Sequence, residues 1–107
     1  MYIAGPISSA PDIEAARYAF HLAAAVQEEL GCEVFNPATL PKGLLEPQYM
    51  SICLSMLMCA DKLYLLDGYE QSSGALTEIA LAKKLDIQIT YQEGTDHEVA
   101  LIGLRGS

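Results

Sequence analysis

Apolar and polar positions along the chain alternate between short apolar runs and stretches with a helical period, the signature of strands interleaved with helices. Residues 1–4 are apolar and stop at Gly5-Pro6, which predicts a first strand followed by a loop, GPISSA. Over residues 12–30, Ala16, Ala19, Ala23, Val26 and Leu30 recur on one face, with Glu14, Arg17, His21 and Glu28 on another. Pro11 suits a first turn and Gly31 an end, so an amphipathic helix is predicted, with Arg17 and His21 on its solvated stripe. Residues 32–35 (CEVF) read as a second strand closed by Asn36-Pro37, and residues 38–46 as an irregular loop able to act as a lid.

From 48 to 60 the pattern is helical and apolar nearly all round: Tyr49, Met50, Ile52, Cys53, Leu54, Met56, Leu57, Met58 and Cys59. A helix of that kind is buried on more than one side, which points to a subunit interface in a homodimer or higher homo-oligomer, or else to a core helix rich in adaptable Met. Residues 62–66 then predict a third strand, 74–85 a third helix and 87–91 a fourth strand. Val99 to Leu104 is ambiguous between a short edge strand and a helix, within a poorly defined tail over 95–107. Strands alternating with helices predict an α/β fold, a flavodoxin-like or Rossmann-like three-layer domain with a small parallel sheet in the order 2-1-3-4.

At 107 residues and 51% hydrophobic content the chain is read as one domain, 1–107, with a sizeable core. No apolar stretch reaches the roughly 18 residues of a membrane span, and the start lacks a basic leader, so a soluble cytoplasmic protein is expected. Six Lys plus Arg against fourteen Asp plus Glu give a net charge of −8, which disfavours polymeric nucleic acid as a partner. A single phosphate is not disfavoured, because backbone amides and hydroxyls can hold one without a basic side chain. Cys32, Cys53 and Cys59 are odd in number and have no C-x-x-C spacing, so buried reduced thiols are expected, with neither zinc nor a disulfide.

The candidate chemistry lies in residues 63–82, LYLLDGYEQSSGALTEIALA. An apolar run delivers a carboxylate at Asp67, a glycine-bearing loop follows, and a helix carries Glu78. Glu78 lies five residues after Ser73 and six after Ser72, too far to close a capping box, and by helical angle it falls beside Ala75, Leu81, Ala82 and Leu85. A carboxylate near the apolar face and near a helix start stays ionised more readily than burial alone allows, which suits a nucleophile or base; a purely structural role remains open. In a parallel sheet the exits of the first strand (Gly5, Pro6, Ile7, Ser8, Ser9) and of the third (Asp67, Gly68) face one crevice. Neither exit carries G-x-G-x-x-G or a Walker pattern, so no dinucleotide cofactor or ATP is implied.

Tyr-Ile-Ala-Gly-Pro at residues 2–6, the strand ending Leu-Leu-Asp-Gly, and Ser72-x-Gly74-x-x-x-Glu78 ahead of an alanine-rich helix resemble the nucleoside 2-deoxyribosyltransferase superfamily. The resemblance covers residues 1–91 and extends to the 2′-deoxynucleoside 5′-monophosphate N-hydrolases, with a small, poorly characterised branch most similar. It implies cleavage of an N-glycosidic bond, with Glu78 attacking the anomeric carbon, Asp67 handling the departing base and Tyr2 positioning the nucleophile. Ser72 matches the serine that contacts phosphate in the hydrolase branch, which implies a nucleoside 5′-monophosphate as substrate. Gly5, Pro6, Ile7, Ser8, Ser9, Asn36, Gly68, Ser72 and Gly74 are the expected ligand-binding residues. Tyr69-Glu70-Gln71 is bulky and acidic, and no Arg or Lys follows Gly5-Pro6, both departures from the pattern. The alternative is a non-catalytic module that captures a nucleotide or nucleotide-derived signal.

Overall fold

Among the described residues a three-stranded parallel sheet separates one helix on one face from two on the other. The computed structural model describes residues 1–7 and 10–92. In chain order these form β1 (Tyr2–Ala4), α1 (Ile13–Glu29), a 3-10 turn (Pro37–Thr39), α2 (Glu46–Met58), β2 (Lys62–Leu65), a second 3-10 turn (Tyr69–Gln71), α3 (Ser73–Lys84) and β3 (Gln88–Tyr91). The sheet order is β1-β2-β3, with Tyr2 opposite Leu63, Ile3 opposite Tyr64 and Ala4 opposite Leu65, and Leu63 in turn opposite Ile89. Among the described residues no helix is long and apolar enough to cross a membrane. Ser8, Ser9, the tail over 95–107 and the segment from Val99 to Leu104 lie outside the described residues.

Strand alternation sorts the core into two sides. Tyr2, Ala4, Leu63 and Leu65 pack with Cys53 and Leu57 of α2 and Ala75 and Ala82 of α3. Ile3 and Leu66 pack with Phe20, Ala23 and Ala24 of α1. Leu57, Leu63 and Leu65 are fully buried, each contributing about 1.5–3 kcal/mol by removal from water. Alanine at 75 and 82 lets α3 approach the sheet closely.

The expected second strand is not formed. Residues 32–35 contribute one parallel bridge, Tyr2 to Phe35, on the free edge of β1, with Phe35 N donating to Met1 O (2.8 Å) and Ile3 N to Phe35 O (3.2 Å). The ladder stops there because Asn36 turns to cap the 3-10 turn, accepting from Ala38 N at 2.9 Å, and Pro37 has no N–H to continue it. Among the described residues the sheet therefore has three strands, and the four-strand 2-1-3-4 order is not shown.

The helices differ from expectation in facing and in one start. α1 buries Phe20, Ala23 and Ala24, while Val26 and Leu30 are exposed, so the predicted inward face is rotated: the large Phe20 ring takes the core position. Arg17 is correspondingly not on the solvated stripe. It is half-buried, and its Nη2 donates to the carbonyls of Ala38 and Leu40, holding the first 3-10 turn against α1. α2 begins at Glu46, two residues earlier than predicted, because Pro47 sits in the first turn, where no N–H is required; the side chain of Gln48 accepts from Leu45 N at 2.9 Å. α2 also has a wet strip, Gln48, Ser51 and Ser55, beside exposed Ile52 and Met58. Of the cysteines, only Cys53 is buried; Cys32 is half-buried and Cys59 exposed.

At the exit of β1 the chain passes close to Leu66. A Cβ added at Gly5 would lie 2.9 Å from the Leu66 Cβ, a contact that no rotamer change relieves. Gly5→Ala is expected to lower stability by about 1–3 kcal/mol in urea unfolding followed by circular dichroism; an unchanged midpoint would mean that the two loops separate without cost.

Candidate functional site

Where β1 ends and α3 begins, the fold leaves a hollow lined by Tyr2, Gly5, Ile7, Pro37, Tyr49, Met50, Ser72, Gly74 and Glu78, with Glu46 at its edge. Each side chain arrives for a local reason. Tyr2 and Ala4 are on the face of β1 turned towards α2 and α3. Ser72 caps α3, its Oγ accepting from Ala75 N at 3.1 Å, so the first amides of the helix border the hollow. Gly74 lets Met50 close over this helix start, since a Cβ there would sit 3.4 Å from the Met50 sulfur.

Glu78 is 5% exposed, on the buried face of α3 between Ala75 and Ala82. The Tyr2 hydroxyl donates to its Oε2. Burial pushes the Glu78 carboxyl from an ordinary 4.5 up to about 7, the Tyr2 bond opposing part of the shift. Desolvation thus outweighs the help expected from the helix start, which fades beyond the first turn. Tyr2 is held well above the usual phenol range by burial and by the neighbouring carboxylate. Tyr49 and Cys53, just behind, are raised chiefly by burial.

The expected site residues divide. Tyr2, Gly5, Ile7, Ser72, Gly74 and Glu78 come together around the hollow. Asp67 is exposed, its backbone N–H donates to Gln92 Oε1 at 3.0 Å, and with Pro6 it borders a separate hollow against the start of α1. Gly68 takes a left-handed conformation (φ 85°) that begins the second 3-10 turn, outside the Glu78 hollow. Asn36 caps the first 3-10 turn and pairs with His21 at 3.2 Å, and its neighbour Pro37, rather than Asn36 itself, reaches the lining. Glu46, Tyr49 and Met50 were not foreseen, because only the packing of α2 against α3 brings them there.

The family profile described as "Domain of unknown function (DUF4406)" matches residues 1–91. The chain belongs to this family. No curated protein and no solved structure matches it. The site of this DUF4406 chain is a buried carboxylate, a phenol bonded to it and a capped helix start, all opening on one hollow. Among the described residues no cluster of His, Cys, Asp and Glu suits a metal ion.

The raised carboxyl has a consequence for stability. The folded state holds the Glu78 proton more tightly than the unfolded chain does, so this group's contribution is full below about pH 4.5 and is lost as pH rises through about 7. The whole span is worth about 3 kcal/mol. Glu78→Gln still accepts from Tyr2 and carries no charge, so its stability relative to wild type should rise between those two pH values. Urea midpoints of both proteins from pH 4 to 8 test this; a constant difference between the curves would mean that Glu78 titrates as an ordinary carboxylate.

Proposed function

We propose that the protein cleaves the N-glycosidic bond of a nucleoside 5′-monophosphate, with Glu78 as nucleophile, on a flavodoxin-like domain whose 32–35 segment is a vestigial edge strand. The observation that carries the reading is the buried Glu78 carboxylate, bonded by Tyr2 and opening on the hollow beside the start of α3. Tyr2 engages Oε2, so attack falls to Oε1. As Oε1 bonds to the anomeric carbon, the C–N bond breaks and its electron pair leaves with the base; water or a second base then displaces the ester. A carboxylate beside the sugar stabilises the oxocarbenium-like charge that develops on the way.

Phosphate recognition in this reading uses neutral donors: the Ser72 hydroxyl, the amides of Ser73 and Gly74, and Ser8 and Ser9. Lys83 and Lys84 are exposed in the last turn of α3, and Lys62 begins β2, all three remote from the strand exits. A second copy of the chain is proposed to cover α2, whose outer side exposes Ile52 and Met58. Light scattering at micromolar concentration should give at least a dimer, and a monomer mass would overturn that assembly.

One observation favours a second reading. Asp67, the expected partner for the leaving base, is not among the residues around Glu78, which suits a module that binds a nucleotide and leaves it intact.

Chromatography of a deoxynucleoside 5′-monophosphate panel after incubation separates the two. Cleavage requires free base, loss of nearly all of it in Glu78→Ala, and a rate rising with pH to a plateau above about 7, where Glu78 is ionised. Recovery of intact nucleotide on the protein, with no free base, would establish capture instead. Ser72→Ala should weaken nucleotide binding by roughly ten- to a hundredfold and leave the unphosphorylated nucleoside unaffected. Equal weakening of both would remove Ser72 from the phosphate.

A further inference from the structure

The inward stripe of α2 is apolar except at its first turn. Tyr49, Cys53, Met56 and Leu57 all pack into the core on the side of α3. Glu46 lies seven residues, close to two whole turns, before Cys53 and so shares its angular position. The apolar stripe thus ends in a carboxylate, and that carboxylate borders the same hollow as Glu78. Among the described residues Glu46 has no ion pair; those present are Met1 with Asp61 and Lys42 with Glu14. Among the described residues no Lys, Arg or His lines the hollow.

We propose that Glu46 determines which nucleotide the Glu78 hollow accepts, its carboxylate receiving hydrogen bonds from an N–H or O–H donor of the ligand. This rests on the nucleotide reading of the hollow and does not require turnover. The interior admits about 40 Å³, space for roughly three waters. A whole nucleotide cannot enter that space, so the rest of the ligand extends past its exposed lining residues, Glu46 and Ser73. An ionised carboxylate only accepts, which rules the phosphate out of that position and selects a donor. The phosphate is thereby directed to the amides at the start of α3. The donor is either an edge of the base that offers ring or amino N–H, or a sugar hydroxyl. A glutamate in a first turn also favours the helix dipole, but that effect concerns stability and is indifferent to the ligand.

Calorimetric titration of the full chain tests the assignment, with Glu78→Gln as background so that no ligand is consumed. The probes are the four common deoxynucleoside 5′-monophosphates and their 2′,3′-dideoxy counterparts, on proteins with Glu46, E46Q, E46D and E46A. Glu46 exposes its side chain, so the variants are expected to fold, and their thermal midpoints verify it. The expected result is that the best-bound ligand loses about tenfold or more in E46Q and E46A, with partial recovery in E46D, while poorer ligands change little. Collapse of the preference among bases identifies the base edge as the donor, and collapse of the preference for the 3′-hydroxyl identifies the sugar. If the order and spread of the panel are unchanged, or all affinities shift by one common factor, Glu46 does not select the ligand. If the protein with Glu46 intact binds none of the probes, the nucleotide reading falls and this inference with it.

Discussion

The hydrogen bond from Tyr2 to Glu78 ties the first strand to the third helix through the core, and the environment of the hollow follows from it. A carboxylate surrounded by Ala75, Ala82 and the sheet loses most of its hydration, and one phenol restores only part of what water supplied. The balance appears as a carboxyl that titrates at about 7 instead of 4.5. The same burial that weakens folding at high pH places the group's proton exchange near neutrality, where a carboxylate in water would not respond. A surface glutamate bonded to the same tyrosine would stabilise the fold more and respond less.

What could be read from the sequence was whatever local periodicity and punctuation determine. Among the described residues the three helices and the three strands of the sheet lie within two residues of where the patterns place them, because apolar period and end signals such as Gly31 are properties of the segment itself. Facing was harder. In α1 Phe20 and Val26 are both apolar, and it is packing against Ile3 and Leu66 across the sheet, not local pattern, that takes the Phe20 ring inside. Segment 32–35 has the composition of a strand, yet the conformation of Asn36-Pro37 limits it to a single bridge. Prolines misled in the opposite sense at α2, where Pro47 signalled a loop but occupies a position that helices tolerate.

The site was legible to the extent that it is built from chain-local junctions. Tyr2, Gly5 and Ile7 belong to one strand and its exit, and Ser72, Gly74 and Glu78 to one helix start, so a parallel sheet brings the two groups together. Asp67 belongs to a strand exit as well, but the backbone turns at Gly68, with φ at 85°, and the Asp67 N–H is taken up by Gln92. Its carboxylate is carried to the α1 side. Glu46 carries no sequence signal beyond being acidic in a first turn, and its place at the hollow depends on where α2 packs.

Charge gives the arrangement its direction. The chain carries −8 overall, and among the described residues the hollow is lined by two carboxylates and no cation, so an anion meets its most favourable contacts at the amides and hydroxyl of the α3 start. A ligand with an anionic end and a donor-bearing end can satisfy both features in one orientation only. On the proposed nucleotide reading, that orientation places the sugar between them, over Glu78. On that same proposed reading, orientation follows from repulsion as much as from attraction: each carboxylate that discourages an anion also rejects the reversed pose of the ligand.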